Sequence, residues 1–220
     1  MHPYLLPLAK QVRKHANKET AAGAKAYMRN QFEYFGLYTT DRRSITNAHM
    51  KAGLPEYTEL ENIVTELFSL PQREYQYFAI ELVGAMKKQW QPGIISLFEF
   101  IIINKSWWDT VDHAASMLTG PYFKLFPEKT IKSTAKWNRS KDFWLQRSSI
   151  MFQKSYRKNT DTDLLSQYIL AHTGSKEFFI QKAIGWALRE YSKTDPVWVR
   201  KFVDRHTLAP LSKREALKRI

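Results

Sequence analysis

The chain has 220 residues, 44 % of them apolar and 14 % aromatic, with no cysteine and a formal net charge of +13. That apolar content suffices for a sizeable core, while the missing cysteines exclude a disulfide framework and a thiolate metal site. Lys plus Arg against Asp plus Glu counts 15 to 13 over residues 1–130 but 19 to 8 over residues 131–220, so the last ninety residues carry +11 of the charge and favour a polyanionic partner.

Three-to-four spacing of apolar residues runs through almost every segment, and no stretch alternates in the manner of a strand, which predicts an all-α chain. In order, the spacing predicts helices over residues 3–16, 19–34, 41–52, 56–69, 73–87, 93–103, 106–118, 121–135, 140–157, 161–172, 176–193 and 195–205, with a short one after Ser212. Breaks are expected at Gly36, Gly53 to Pro55, Leu70-Pro71, Pro92-Gly93, Gly120-Pro121, Gly174-Ser175 and Asp195-Pro196. Ser106 with Asp109 three positions later is close to a capping box, and Ser140 and Asp161 read as plain N-caps. The run from Ile94 to Ile103 contains Glu99 and is about half a membrane span, so it reads as a core helix. No signal-peptide pattern follows Met1-His2-Pro3, and a soluble cytoplasmic protein with no membrane partner is expected. The helices pair with a combined period of roughly 35 to 40 residues, the pattern of a degenerate HEAT-like or armadillo-like array. No linker or low-complexity run interrupts it, so one domain over residues 1–220 is expected; an irregular bundle fits the same periodicity.

Three helices then put aromatic and charged side chains where a core does not need them. At about 100° per residue, Trp107, Val111, Ala114 and Leu118 form a core stripe, and Trp108 and Asp112 share a face beside it. A carboxylate next to a presented ring has to be paired or used. On the helix over 140–157, Trp144, Ser148, Met151 and Phe152 point one way, while Phe143, Arg147, Lys154 and Lys158 make a cationic face suited to phosphates. On the helix over 176–193, Ile180, Ala183, Ile184, Ala187, Leu188 and Tyr191 form the core arc, and Trp186 lies outside it near Lys182 and Arg189. An indole beside cations is a platform for stacking or for contact with a charged ring; cation stems covering the ring are the plainer explanation. There is no Gly-rich phosphate loop, no HExxH, no His pair at metal spacing and no nucleophile elbow, and His113 reads as a surface residue.

The stretches Lys105-Ser106-Trp107-Trp108-Asp109-Thr110-Val111-Asp112, Phe143-Trp144-Leu145-Gln146-Arg147-Ser148, Ser175 to Trp186 with Leu188-Arg189-Glu190-Tyr191, and Leu208 to Ala216 resemble the bacterial alkylpurine DNA glycosylases of the HEAT-like repeat class, the AlkD family. The resemblance runs from the His2-Pro3 start to Ile220. It implies a superhelix of HEAT-like repeats with a basic concave surface that holds double-stranded DNA. The implied reaction is excision of positively charged N3- or N7-alkylated purines such as 3-methyladenine and 7-methylguanine. By motif position, Asp112 is implied as the catalytic carboxylate, Trp108 and Trp186 as the rings against the lesion nucleotide, and Arg147 as a phosphate contact. Tyr27 matches another duplex-facing position, and Tyr38, Lys154, Lys182 and Arg189 complete the expected DNA-binding set. The family's enzymes use no metal or cofactor and do not need to flip the base into a pocket, the solution of other glycosylases; a monomer associated with the nucleoid while acting is implied. One departure stands out. The loop Leu37-Tyr38-Thr39-Thr40-Asp41-Arg42-Arg43 lacks the Thr-Pro pair common in the family, and some members carry Gln where Tyr38 stands.

An N3- or N7-alkyl purine is already a cationic leaving group, so the barrier lies in the oxocarbenium charge developing on the sugar, which a fixed carboxylate lowers. Two other readings compete: a non-catalytic HEAT-like protein that binds branched or distorted DNA, and a protein-interaction scaffold. The scaffold leaves the charge asymmetry and the presented indoles unexplained.

Overall fold

The computed structural model describes all residues from Met1 to Ile220, and every regular element in it is helical apart from one isolated bridge between Glu33 and Gln72. The chain forms two compact units, Met1–Gln91 and Pro92–Ile220. No helix is long and apolar enough to cross a membrane.

The first unit contains α1 (Leu5–Lys14), α2 (Lys18–Tyr27), α3 (Thr39–Ala52), α4 (Leu60–Ser69) and α5 (Arg73–Ala85). Helix α1 packs on α3, and α4 on α5. Leu5, Leu8 and Val12 from α1, and Ile63, Val64 and Leu67 from α4, are buried at the three-to-four spacing that the sequence shows, whereas α5 is buried over most of its surface, with Phe78, Ala79, Ile80, Leu82 and Val83 all inside. Helix α2 stops at Tyr27 and does not continue to 34 as expected, because Arg29 and Asn30 take left-handed φ angles of 54° and 59° that end the helix. The chain that follows is clamped from α5: the Glu74 carboxylate accepts from the backbone N–H groups of Phe35 (3.1 Å), Gly36 (2.9 Å) and Leu37 (3.4 Å). Gly36 has φ +86° and lies so close to Asn17 and Ala21 that no side chain fits there.

The second unit contains α6 (Ile95–Ile103), α7 (Trp108–Ala114), α8 (Gly120–Leu125), α9 (Thr130–Asn138), α10 (Phe143–Met151), α11 (Thr162–Leu170), α12 (Phe178–Tyr191), α13 (Pro196–Arg205) and α14 (Pro210–Ala216). Here α6 packs on α7, α10 on α6, α9 and α12, and α12 on α14. The interior is built from Phe98, Ile101, Ile102, Val111, Leu118, Tyr122, Trp137, Ile180, Ile184, Leu188 and Val199. Each such side chain taken fully from water contributes about 1.5–3 kcal/mol before entropy is counted. The break expected at Gly120-Pro121 does not occur. A π turn over Ala115–Thr119 joins α7 to α8, and the wider turn accommodates a proline that has no N–H to donate. Gly120 serves packing instead: a Cβ there would lie 2.7 Å from the Phe152 carbonyl oxygen. The helix expected over 121–135 is divided instead at Phe126-Pro127, ahead of α9.

Candidate functional site

The entry to α7 sets the geometry. Lys105 takes a left-handed φ of 45°, Ser106 Oγ donates to the Ile102 carbonyl at 2.6 Å, and Trp107 is the extended N-cap residue with φ −156° and ψ 163°. The Ser106–Asp109 capping box is therefore not formed, since Ser106 is spent on α6. Trp107 also stands off the helical wheel that placed it in a stripe with Val111. It is part-buried and packs edge-on against Phe179 at 5.1 Å and tilted against Trp144 at 6.1 Å. Trp108 opens the helix, also part-buried, and Asp109 lies in the first turn, where a negative charge suits the helix dipole. Asp112 follows one turn after Trp108, and Val111 and Ala114 are fully buried behind it.

Asp112 is held by Arg147. Nε donates to one carboxylate oxygen at 2.7 Å and Nη2 to the other at 2.8 Å, while Nη1 donates to the Phe179 carbonyl. Arg147 is completely buried and the Asp112 side chain is 16 % exposed. This corrects the expected face of α10. That helix ends at Met151, so Lys154 and Lys158 lie beyond it and do not continue a cationic stripe from Arg147. Arg147 points inward because its charge is answered there, the condition under which a guanidinium is tolerated in a protein interior. The N-cap of α10 is Asp142, which accepts from Trp144 N (2.8 Å) and Leu145 N (3.2 Å). Ser140, expected as the cap, accepts from Asp142 N and so supports the cap. Asp161 caps α11 as expected, through Asp163 N and Leu164 N.

Trp186 completes the cluster from α12. The Arg147 guanidinium lies 5.2 Å from its ring centroid, with Lys182 Nζ at 5.5 Å and the Arg189 guanidinium at 5.9 Å. The structure thus places Asp112, Arg147, Trp186, Lys182 and Arg189 together, with Trp186 outside the core arc as its spacing predicts. Sequence reasoning missed Glu215. Its carboxylate, 3 % exposed, accepts from Trp186 Nε1 at 3.2 Å, Lys182 Nζ at 3.0 Å, Arg189 Nη1 at 2.9 Å and Lys218 Nζ at 2.9 Å. Burial by itself would raise this carboxyl, but hydrogen bonds from Lys218 and Lys182, with the charges of both, bring it down to about 2. The available signal was Gly185, a glycine inside an otherwise strong helical pattern, which marks a close approach. A Cβ there would lie 2.4 Å from Glu215 Cβ.

The remaining expected contacts lie elsewhere. Tyr27, the last residue of α2, is 73 % exposed, and Tyr38, the N-cap residue of α3, is 65 % exposed, both in the first unit. Tyr27 borders a groove of about 160 Å³ with Leu37, Arg42 and Tyr77. Arg42 is pinned there by Glu81 at 2.8 Å. Lys154 lines a separate cavity of about 330 Å³ with Arg157, Tyr191 and Lys193. His113 is part-buried, with Nε2 2.7 Å from Met117 Sδ. No group of three or more His, Asp or Glu side chains is placed to hold a metal ion.

No curated protein matches the sequence. The solved structure of a predicted DNA alkylation repair enzyme from Enterococcus faecalis is similar throughout, at 32 % identity and a TM-score of 0.87, over 93 % of this chain and 96 % of that one. The family profile described as DNA alkylation repair enzyme matches residues 8–220. With the all-α fold shared and the profile covering nearly the whole sequence, the chain belongs to the family of DNA alkylation repair enzymes.

Proposed function

We propose that the protein is a DNA glycosylase that excises cationic N3- and N7-alkylpurines from duplex DNA by hydrolysis of the N-glycosidic bond. The observation that carries this reading is a part-exposed carboxylate, Asp112, fixed through both oxygens by a fully buried arginine and set beside two part-buried indoles. A carboxylate has about four acceptor positions; Arg147 takes two, leaving others for the attacking water and the sugar's developing charge. Because Asp112 cannot swing, no reorganisation is needed as that charge appears, the condition under which electrostatic stabilisation is largest. Trp108, one helical turn away, and Trp186 offer electron-rich faces to the cationic nucleotide. Lys154, Lys182, Arg189, Tyr27 and Tyr38 serve the duplex in this reading, and Arg147 acts through Asp112 in place of a phosphate. The protein works as a monomer, without a cofactor. Incubation with duplex containing 7-methylguanine is expected to release the free base; an intact base after single-turnover incubation refutes the activity.

The Asp112–Arg147 pair favours a second reading, since a bidentate bridge also serves stability alone. A non-catalytic protein binding branched or distorted DNA would hold such DNA more tightly than alkylated duplex and release no base.

A further inference from the structure

Helix α14 reaches the site from the far end of the chain. Ser212 Oγ donates to the Gln181 carbonyl at 2.8 Å, and Gly185 lets the helix approach until Glu215 lies under the Trp186 edge. Four donors then meet one buried carboxylate: the indole N–H and the ammonium or guanidinium groups of Lys182, Arg189 and Lys218. The indole needs this. Three cations lie within 6 Å of its centroid, and Glu215 is the acceptor that takes its N–H.

We propose that Glu215 is a positioning residue of the site: it fixes the Trp186 ring through the indole N–H and holds Lys182 and Arg189 along the ring's flank. The inference deepens the glycosylase reading and rests on it for its substrate. It has a second consequence. Lys182 and Arg189 are committed to Glu215 in the free protein, so the duplex draws on cations that are already half engaged. Removing the Glu215 charge then moves two quantities in opposite directions. The indole N–H is left with a neutral amide oxygen, a weaker anchor than the carboxylate, and excision slows, while two cations are released to phosphates and binding tightens. A residue needed only for stability moves neither in a folded variant.

The test uses Glu215→Gln in the full chain, at a temperature where its helical circular dichroism matches the parent's. Single-turnover release of 7-methylguanine is expected to fall at least tenfold. Affinity for undamaged duplex is expected to rise severalfold, with a salt slope steeper by about one to two units. An excision rate within twofold of the parent's overturns the proposal. If the parent itself releases no base, the glycosylase reading fails separately, and the indole decides about Glu215. Trp186 emission, isolated by difference against Trp186→Phe, is expected to be about twice as quenchable by acrylamide in Glu215→Gln; equal quenching overturns the proposal. Should Glu215→Gln not fold, Glu215→Asp replaces it. It keeps the charge among the cations but withdraws the acceptor from the indole, and the same excision and quenching outcomes apply.

Discussion

At the scale of single residues, the Asp112–Arg147 pair changes what each mutation is expected to do. Asp112→Asn keeps the size but removes the charge that stabilises an oxocarbenium-like sugar, so single-turnover excision is expected to fall by about 10²-fold, or about 3 kcal/mol of barrier. The wheel placed Arg147 on a cationic face, and the resemblance implied a phosphate contact; in the structure the side chain is buried, with two hydrogen bonds to Asp112 and one to the Phe179 carbonyl. Its removal is therefore expected to cost rate as well as stability. In a double-mutant cycle, Arg147→Met added to Asp112→Asn is expected to slow excision little further, because both changes break one unit. Additive losses would separate the two residues and return Arg147 to a contact of its own. Trp107→Ala, which empties a place against Phe179 and Trp144, is expected to lower stability by about 3 kcal/mol while leaving the excision rate of the folded protein near the parent's.

At the scale of elements, periodicity made most helices legible, and it failed where a residue left the helix or answered a distant partner. The buried stripe of α12 and the place of Trp186 outside it follow from 3.6-residue spacing alone. Trp107 did not follow, because an N-cap residue with extended backbone has no place on the wheel. Arg147 did not follow either, since only the tertiary fold brings Asp112 and the Phe179 carbonyl to it. The π turn into α8 hid behind a Gly-Pro pair that ordinarily reads as a stop. Glycine offers a direct check on the close approach of α14. Gly23, in α2, has nothing within 4 Å of an added Cβ, so Gly23→Ala is expected to stabilise by about 0.5–1 kcal/mol through helix propensity. Gly185→Ala gains the same propensity but drives a methyl to 2.4 Å from Glu215 Cβ and 2.9 Å from the Ser212 carbonyl oxygen. Overpacking of that kind costs about 1–3 kcal/mol. Opposite shifts in melting temperature are expected, and a stabilised Gly185→Ala would mean that α14 does not lie against α12.

At the scale of the whole molecule, buried titratable groups set how stability responds to acid. Burial lowers His49 and His172 below the ordinary 6.5, against the opposing hydrogen bonds with the Tyr4 and Asn138 backbones, so both stay neutral in the folded protein where the unfolded chain takes up protons. The unfolded state then binds more protons, and stability falls as pH drops below about 6.5. Glu215 adds a second descent at lower pH. Its folded value of about 2 lies below the ordinary 4.5. Its contribution is therefore fully present above the unfolded value and is lost as pH falls from about 4.5 through about 2. A difference of that size corresponds to about 3 kcal/mol. Denaturant melts from pH 7 to pH 2 are expected to show stability falling first in the histidine range and again below about 4.5. Glu215→Gln is expected to be less stable at neutral pH, where Lys182, Arg189 and Lys218 face one another without a carboxylate, and to show a shallower lower descent while keeping the upper one. If the variant's profile below pH 4.5 runs parallel to the parent's, another carboxylate supplies that acid sensitivity and the cations around Trp186 are not balanced by Glu215.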